Sequence, residues 1–206
     1  MESYRLEGQT FVIDDYDRKP AFSSFLPGLA GVKGIPLWTF YTNRGQGMNS
    51  FGIDNKGNAI MEFNSANTAF ENTQVKGFRT FLKIDGEYYE PFFTYEKEAK
   101  RQMRMNKNSF KIIETNEKYG IEVTVNYYVL PNESIGALVR QVSVKNIGDS
   151  AKEVQVIDGL PKIITYGIAN GEFKEMSNLF KSWADIRNLE NKVPYYTLRA
   201  STKDSA

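Results

Sequence analysis

Strict alternation limits what this chain can fold into. Ile121, Val123, Val125 and Tyr127 share one face of an extended segment. Leu138, Arg140, Val142 and Val144 repeat the pattern one segment later, with Val139 opposite. A period of two places every second side chain on one side of a pleated ribbon, a spacing no helix face has. Shorter runs of the same kind start at Phe11-Val12-Ile13 and Val154-Gln155-Val156-Ile157, and recur over 36–43, 50–54, 59–63, 77–84, 87–93, 100–105 and 110–114.

Turn chemistry separates these runs. Asp85-Gly86 is the strongest short hairpin signal, and Asp54-Asn55-Lys56-Gly57-Asn58 leaves Gly57 free to take positive φ. Asn106-Lys107-Asn108, Leu130-Pro131-Asn132-Glu133 and Asn146-Ile147-Gly148-Asp149 supply the other reversals. Many short strands with regular turns predict an all-β antiparallel sandwich. Residues 22–34 are apolar but broken by glycines and a proline, which predicts a buried loop. One segment leaves the β rhythm. Over 172–189, Phe173, Met176, Leu179, Phe180, Trp183 and Ile186 fall three and four apart, which predicts one amphipathic helix with Asn170 and Gly171 at its cap. A strand is expected again over 193–199. The polar end Ser201 to Ala206 follows so soon that we expect the chain to be the front part of a longer protein.

Composition narrows the chemistry. At 206 residues, one large all-β domain spanning 1–206 is expected. Cysteine and histidine are both missing. This removes thiolate nucleophiles, His-based triads and the commonest zinc sites. Balanced charge, 26 basic against 25 acidic residues, argues against nucleic-acid binding and against electrostatic membrane attachment. Met1-Glu2-Ser3-Tyr4-Arg5 lacks the pattern of a secretory leader, and no apolar run nears the ~20 residues of a membrane span. A cytoplasmic location is the expectation, and the sequon Asn132-Glu133-Ser134 is read as chance.

Within 34–77, the loop Thr42-Asn43-Arg44-Gly45-Gln46-Gly47 gathers amides, a guanidinium and two glycines beside Trp38, Phe40 and Tyr41. Planar hydrogen-bonding groups beside aromatic faces suit a sugar, although a long hairpin turn needs the same glycines. Alternation puts Trp38 and Phe40 on one face, expected as core, and leaves Tyr41 for a ligand. The candidate contacts are Tyr41, Asn43, Arg44 and Gln46. The glycines match no phosphate loop, lacking both its lysine and a following helix. Tyr88-Tyr89-Glu90-Pro91-Phe92-Phe93-Thr94-Tyr95 is expected to form an edge strand over the core, and 97–107 a solvated basic face. Asp54, Glu62, Glu90, Glu122, Asp158 and Asp185 show no spacing that picks out an acid/base pair.

The chain closely resembles the N-terminal domain of glycoside phosphorylases in glycoside hydrolase family 94, in the branch of 1,2-β-oligoglucan phosphorylases and cellobiose-phosphorylase-like proteins. Phe22 to Gly28, Gly34-Ile35-Pro36-Leu37-Trp38, Tyr41 to Gly47, Ala59 to Phe63 and Gly77 to Phe81 carry the likeness. So do Leu130 to Glu133, Ile135 to Arg140, Asp158 to Pro161, Asn188 to Asn191 and Tyr196 to Ser201. The resemblance implies a super-sandwich of galactose mutarotase type, followed in the family by a helical linker and an (α/α)6 barrel. The barrel carries the acid catalyst and binds inorganic phosphate as co-substrate, so the resemblance assigns this chain no catalytic residue, cofactor or metal. Its implied partners are its own C-terminal barrel, a β-glucan oligosaccharide and, in some relatives, a homodimer mate. Tyr41, Asn43, Arg44 and Gln46 would then contact substrate or a domain interface.

Overall fold

A computed structural model describes residues 3–94, 97–165 and 168–199. The fold is an all-β antiparallel sandwich. One layer is a six-stranded sheet built from β1 (Tyr4–Glu7), β2 (Thr10–Asp14), β9 (Lys100–Met105), β10 (Ser109–Asn116), β11 (Ile121–Val129) and β12 (Leu138–Asn146), adjacent in that order. Facing it are two smaller sheets. β3 (Ser23–Ala30), β4 (Ile35–Thr42), β5 (Met48–Ile53) and β6 (Ala59–Met61) form one; β13 (Val154–Gly159), β7 (Arg79–Ile84) and β8 (Glu87–Tyr89) form the other.

The alternating faces meet as expected. Ile13, Met103, Ile112, Val125 and Val142 line up across five strands of the six-stranded sheet. They pack with Leu26, Tyr41, Met48, Leu82, Ile84 and Tyr89 from the facing sheets in one core. At its centre Phe110 lies between Tyr41 and Tyr127, with ring centroids 4.7 and 5.0 Å away and both pairs stacked.

Four expectations need correction. Residues 22–34 are not a loop: β3 pairs along its whole length with β4, from Ser23–Thr42 to Ala30–Ile35. The apolar side chains there serve a strand, and Gly28 sits where a Cβ would press on Val129. The helix near 172–189 is α2 (Asn170–Trp183), and Ile186 lies instead on β14 (Ala184–Arg187), which pairs with β15 (Tyr195–Leu198). A second helix, α1 (Ala66–Lys76), had too few buried positions to betray it: only Ala69 and Thr73 are buried, while Ala66, Phe70 and Val75 stay partly or fully exposed. The run 88–95 holds a strand only to Tyr89; Pro91 and Phe92 turn the chain, and Tyr95 lies outside the described residues, as do Ser201 to Ala206.

Tyr127 is fully buried, and burial pushes its phenol up to about 12. Tyr16 and Tyr89 are raised as well, again chiefly by burial. The folded state therefore holds neutral phenols that ionise near pH ~10 once unfolded. Their contribution is intact below pH ~10 and is lost as the pH climbs through the raised values. An alkaline titration should show tyrosinate absorbance rising together with loss of the β circular dichroism between pH ~10 and ~12. Gradual ionisation of every tyrosine near pH ~10 with the β signal intact would contradict this burial pattern.

Candidate functional site

The 42–47 loop joins β4 to β5 as a tight internal turn. Thr42 N–H donates to the Gly47 carbonyl at 2.8 Å, and Gly47 N–H to the Arg44 carbonyl at 2.9 Å. Gly45 and Gly47 take positive φ, 50° and 79°. Their permissiveness lets the turn fold inward.

Asn43 is completely buried. Its Nδ2 donates to the carbonyls of Tyr16 (2.9 Å), Lys19 (3.3 Å) and Pro20 (3.0 Å), and its Oδ1 accepts from Phe22 N–H at 2.9 Å. One side chain thus pins the whole 16–22 segment. Gly45 completes the attachment by accepting from the Tyr16 hydroxyl at 2.5 Å. Arg44 spends one guanidinium nitrogen on the Asn43 carbonyl (2.8 Å) and one on Lys19 (3.3 Å). Tyr41 faces the core against Phe110, its hydroxyl 3.2 Å from Met105 Sδ.

Gln46 reaches the other way. Its Nε2 donates to Thr80 Oγ1 at 3.0 Å, and its Oε1 accepts from Arg140. Arg140 also pairs with Asp158 and lies over the rings of Phe78 and Tyr127, 4.7 and 5.9 Å from their centroids. Burial works against the Arg140 charge, but Tyr127 and Asp158 more than restore it. The loop is therefore the meeting point of the 16–22 segment, β7, β11, β12 and β13. Of Tyr41, Asn43, Arg44 and Gln46, three are buried with internal partners, and only the partly exposed Arg44 keeps a face toward solvent.

Trp38 and Phe40 do share the opposite face of β4. They belong to a second aromatic group with Phe25 and Phe63, in which Trp38 and Phe63 meet edge-on at 5.6 Å. Helix α2 helps cover that face through Phe173 and Phe180, with Met176 and Trp183 packed at the margin.

A buried ionic cluster was missed from sequence. Glu114 is enclosed in the core and accepts from Arg101 Nε (2.5 Å), from Phe92 N–H (2.7 Å) and from the Tyr89 hydroxyl. Arg101 also pairs with Asp17 at 2.6 Å and donates to the Phe93 carbonyl at 2.7 Å. The 97–107 run is therefore not uniformly solvated: Lys100 faces water, while Arg101 points inward beside Met103. Parity was the available signal. Glu114 follows Phe110 and Ile112 at even spacing, so its pairing with Val123 puts it on the core face. Burial pushes the Glu114 carboxyl up, against the pull of Arg101, Tyr89 and the Phe92 N–H.

Chemically, these groups hold rather than transfer. The buried carboxylate has its oxygens occupied, and Asp158 is committed to Arg140 and Thr80. Among the described residues no group of three or more Asp or Glu is arranged to hold a metal ion. No described helix is long and apolar enough to cross a membrane. Compared with known proteins, the chain matches no family model and no curated protein sequence.

Proposed function

We propose that this chain is a non-catalytic β-sandwich of a carbohydrate-active, family 94-like glycoside phosphorylase, and that it serves as the docking partner of a catalytic barrel. In that reaction a phosphate oxygen attacks the anomeric carbon of a β-glucoside, the glycosidic bond breaks, and a barrel aspartic acid protonates the leaving oxygen. The products are glucose 1-phosphate and a shortened glucan. The sandwich supplies neither acid nor phosphate site; it supplies a rigid platform.

The observation that carries the docking role is an uncovered apolar face on the small sheet. Ile157 of β13 stands opposite Phe81 of β7 in register, and Ile157 is 74% exposed. Tyr88 of β8, 80% exposed, lies on the same face across from Lys83. Apolar side chains grouped in this way mark an interaction surface, whereas single ones are ordinary. Beside them Arg79 lies over the Phe81 ring at 4.7 Å and pairs with Glu90 at 2.7 Å, giving the patch a polar rim. Such a surface fits a domain interface, which combines an apolar centre with a charged margin.

The test is direct. A polypeptide carrying this sandwich and its barrel, given inorganic phosphate and a short β-1,2-glucan, should release glucose 1-phosphate, whereas the 206-residue chain alone should release none. Turnover by the isolated chain would overturn the non-catalytic role, and a barrel-bearing parent inactive on every β-glucan with phosphate would overturn the family reading.

A further inference from the structure

The described strands leave several sheet edges open, and all but one are blunted. An exposed edge offers unpaired N–H and C=O groups to any passing strand, so proteins shorten it, charge it or interrupt it. β1 has four residues, Arg5 and Glu7 among them. β6 and β8 have three residues each, and β14 and β15 four. β3 is longer but carries Pro27 and Gly28. β13 stops after six residues at Asp158-Gly159, and Asp158 is held by Arg140 and Thr80.

β12 is the exception. It runs nine residues at the margin of the six-stranded sheet. It holds no proline or glycine, and it pairs with β11 without a bulge from Val129–Leu138 to Ile121–Asn146. No backbone hydrogen bond leads from 138–146 to any other described segment. Every second residue therefore turns its N–H and C=O toward the open side. The core is thin at the same margin: Leu138, Val142 and Val144 pack against it yet are only partly buried. A strand laid on this edge would extend the sheet and shield them.

β12 also complements itself. Opposed residues in an antiparallel pair share a face, so a strand joining β12 must match core face with core face. Two copies related by a two-fold axis at Val142 meet that condition along the whole strand. Val142 then faces its own copy, Arg140 faces Val144, Leu138 faces Asn146, Val139 faces Lys145 and Gln141 faces Ser143. No charge meets a like charge. Moving the axis to Arg140 would set two guanidinium groups opposite one another, which is unfavourable. Moving it to Val144 would leave only residues 142–146 paired. The Arg140 charge is moreover met within its own chain by Asp158.

We propose that β12 is a homodimerisation edge, at which two copies of this chain pair antiparallel about Val142 and join their six-stranded sheets into one. Such an interface is isologous and closes at two copies. It is independent of phosphorolysis, so dimer formation and glucose 1-phosphate release can fail separately.

The experiment is sedimentation velocity of the 206-residue chain over a concentration series, with amide hydrogen exchange followed at each step. A reversible monomer–dimer equilibrium is expected, with exchange in 138–146 slowing as the dimer forms. Gln141 and Ser143 are exposed, and their neighbours on β11 are the neutral Asn126 and Thr124, so both can be changed without disturbing the core. Gln141→Lys combined with Ser143→Lys sets like charges opposite at two symmetry-related places and should weaken the dimer about tenfold. Gln141→Lys combined with Ser143→Glu sets opposite charges there and should restore it. The proposal is overturned if the chain is monomeric at every concentration or if the two double variants behave alike. It is also overturned if a longer polypeptide carrying this chain protects 138–146 equally while monomeric, since another segment would then occupy the edge.

Discussion

Replacing Arg101 by alanine is expected to destabilise the fold by about 3–5 kcal/mol, the range for breaking a buried ion pair from one side. The Arg101 side chain is 2% exposed and that of Glu114 is fully enclosed, so no water can take over the lost contacts. Glu114 would keep the Tyr89 hydroxyl and the Phe92 N–H but lose its only cationic partner in the cluster, and Asp17 would lose the same guanidinium. The sign of the pH dependence is checkable. The Glu114 pKa is already raised by burial, with Arg101 pulling it down, so the variant's folded state must hold it higher still. An acid raised in the folded state binds its proton more readily there than in the unfolded chain. The extra loss in Arg101→Ala should therefore shrink as pH falls through the raised value toward the ordinary carboxylate range. Urea unfolding of both proteins at several pH values reads this out. A deficit under about 1 kcal/mol, or one that grows on acidification, would show that the cluster is not the closed ionic pair described.

Gly47→Ala should be nearly as damaging, at about 2–4 kcal/mol from two independent causes. Gly47 has φ +79°, a conformation strained for any residue with a Cβ. A Cβ there would also drive into the Phe110 ring, approaching Cε2 at 3.0 Å and Cζ more closely still. The ring tip cannot swing away, because Phe110 is stacked between Tyr41 and Tyr127. Gly45→Ala makes a useful comparison. Its φ is +50°, and its Cβ would press at 3.0 Å on the Gln74 backbone of α1, outside the Tyr41–Phe110–Tyr127 stack. Thermal unfolding of the two variants should rank Gly47→Ala as the worse, with near-ultraviolet circular dichroism showing altered aromatic packing. Near-native stability for Gly47→Ala would mean that the loop does not press against the core as described.

The alternation in 121–127 and 138–144 was legible as sheet because burial on one face leaves a period in the sequence, and both segments pair in the expected antiparallel sense. The Asp85-Gly86 hairpin was legible too, since Asp85 and Gly86 take the positive φ that a tight turn demands. Helix α1 was not, because a helix held by two small buried positions has too few of them to leave a readable stripe. Nor was β3, whose Pro27 and Gly28 imitate a loop until β4 is laid beside them. At the 42–47 loop, residue types alone suggested a surface for ligands. Asn43 and Gln46 instead direct their amides at backbone and side chains 21 to 94 positions away, and such partners leave no local mark.

The sequence alone thus determined the class of fold, the main turns and the exclusion of thiol and imidazole chemistry, because each follows from local pattern or from composition. Only the tertiary structure decided which polar groups find partners and which do not. Asn43 and Asn49 are both buried asparagines within one hairpin, yet Asn43 has both ends of its amide bonded inside the protein, while Asn49 Oδ1 is buried without a protein partner among the described residues. That difference depends on what packs against each amide, the 16–22 segment in one case and helix α1 in the other, and it arises only when distant parts of the chain meet.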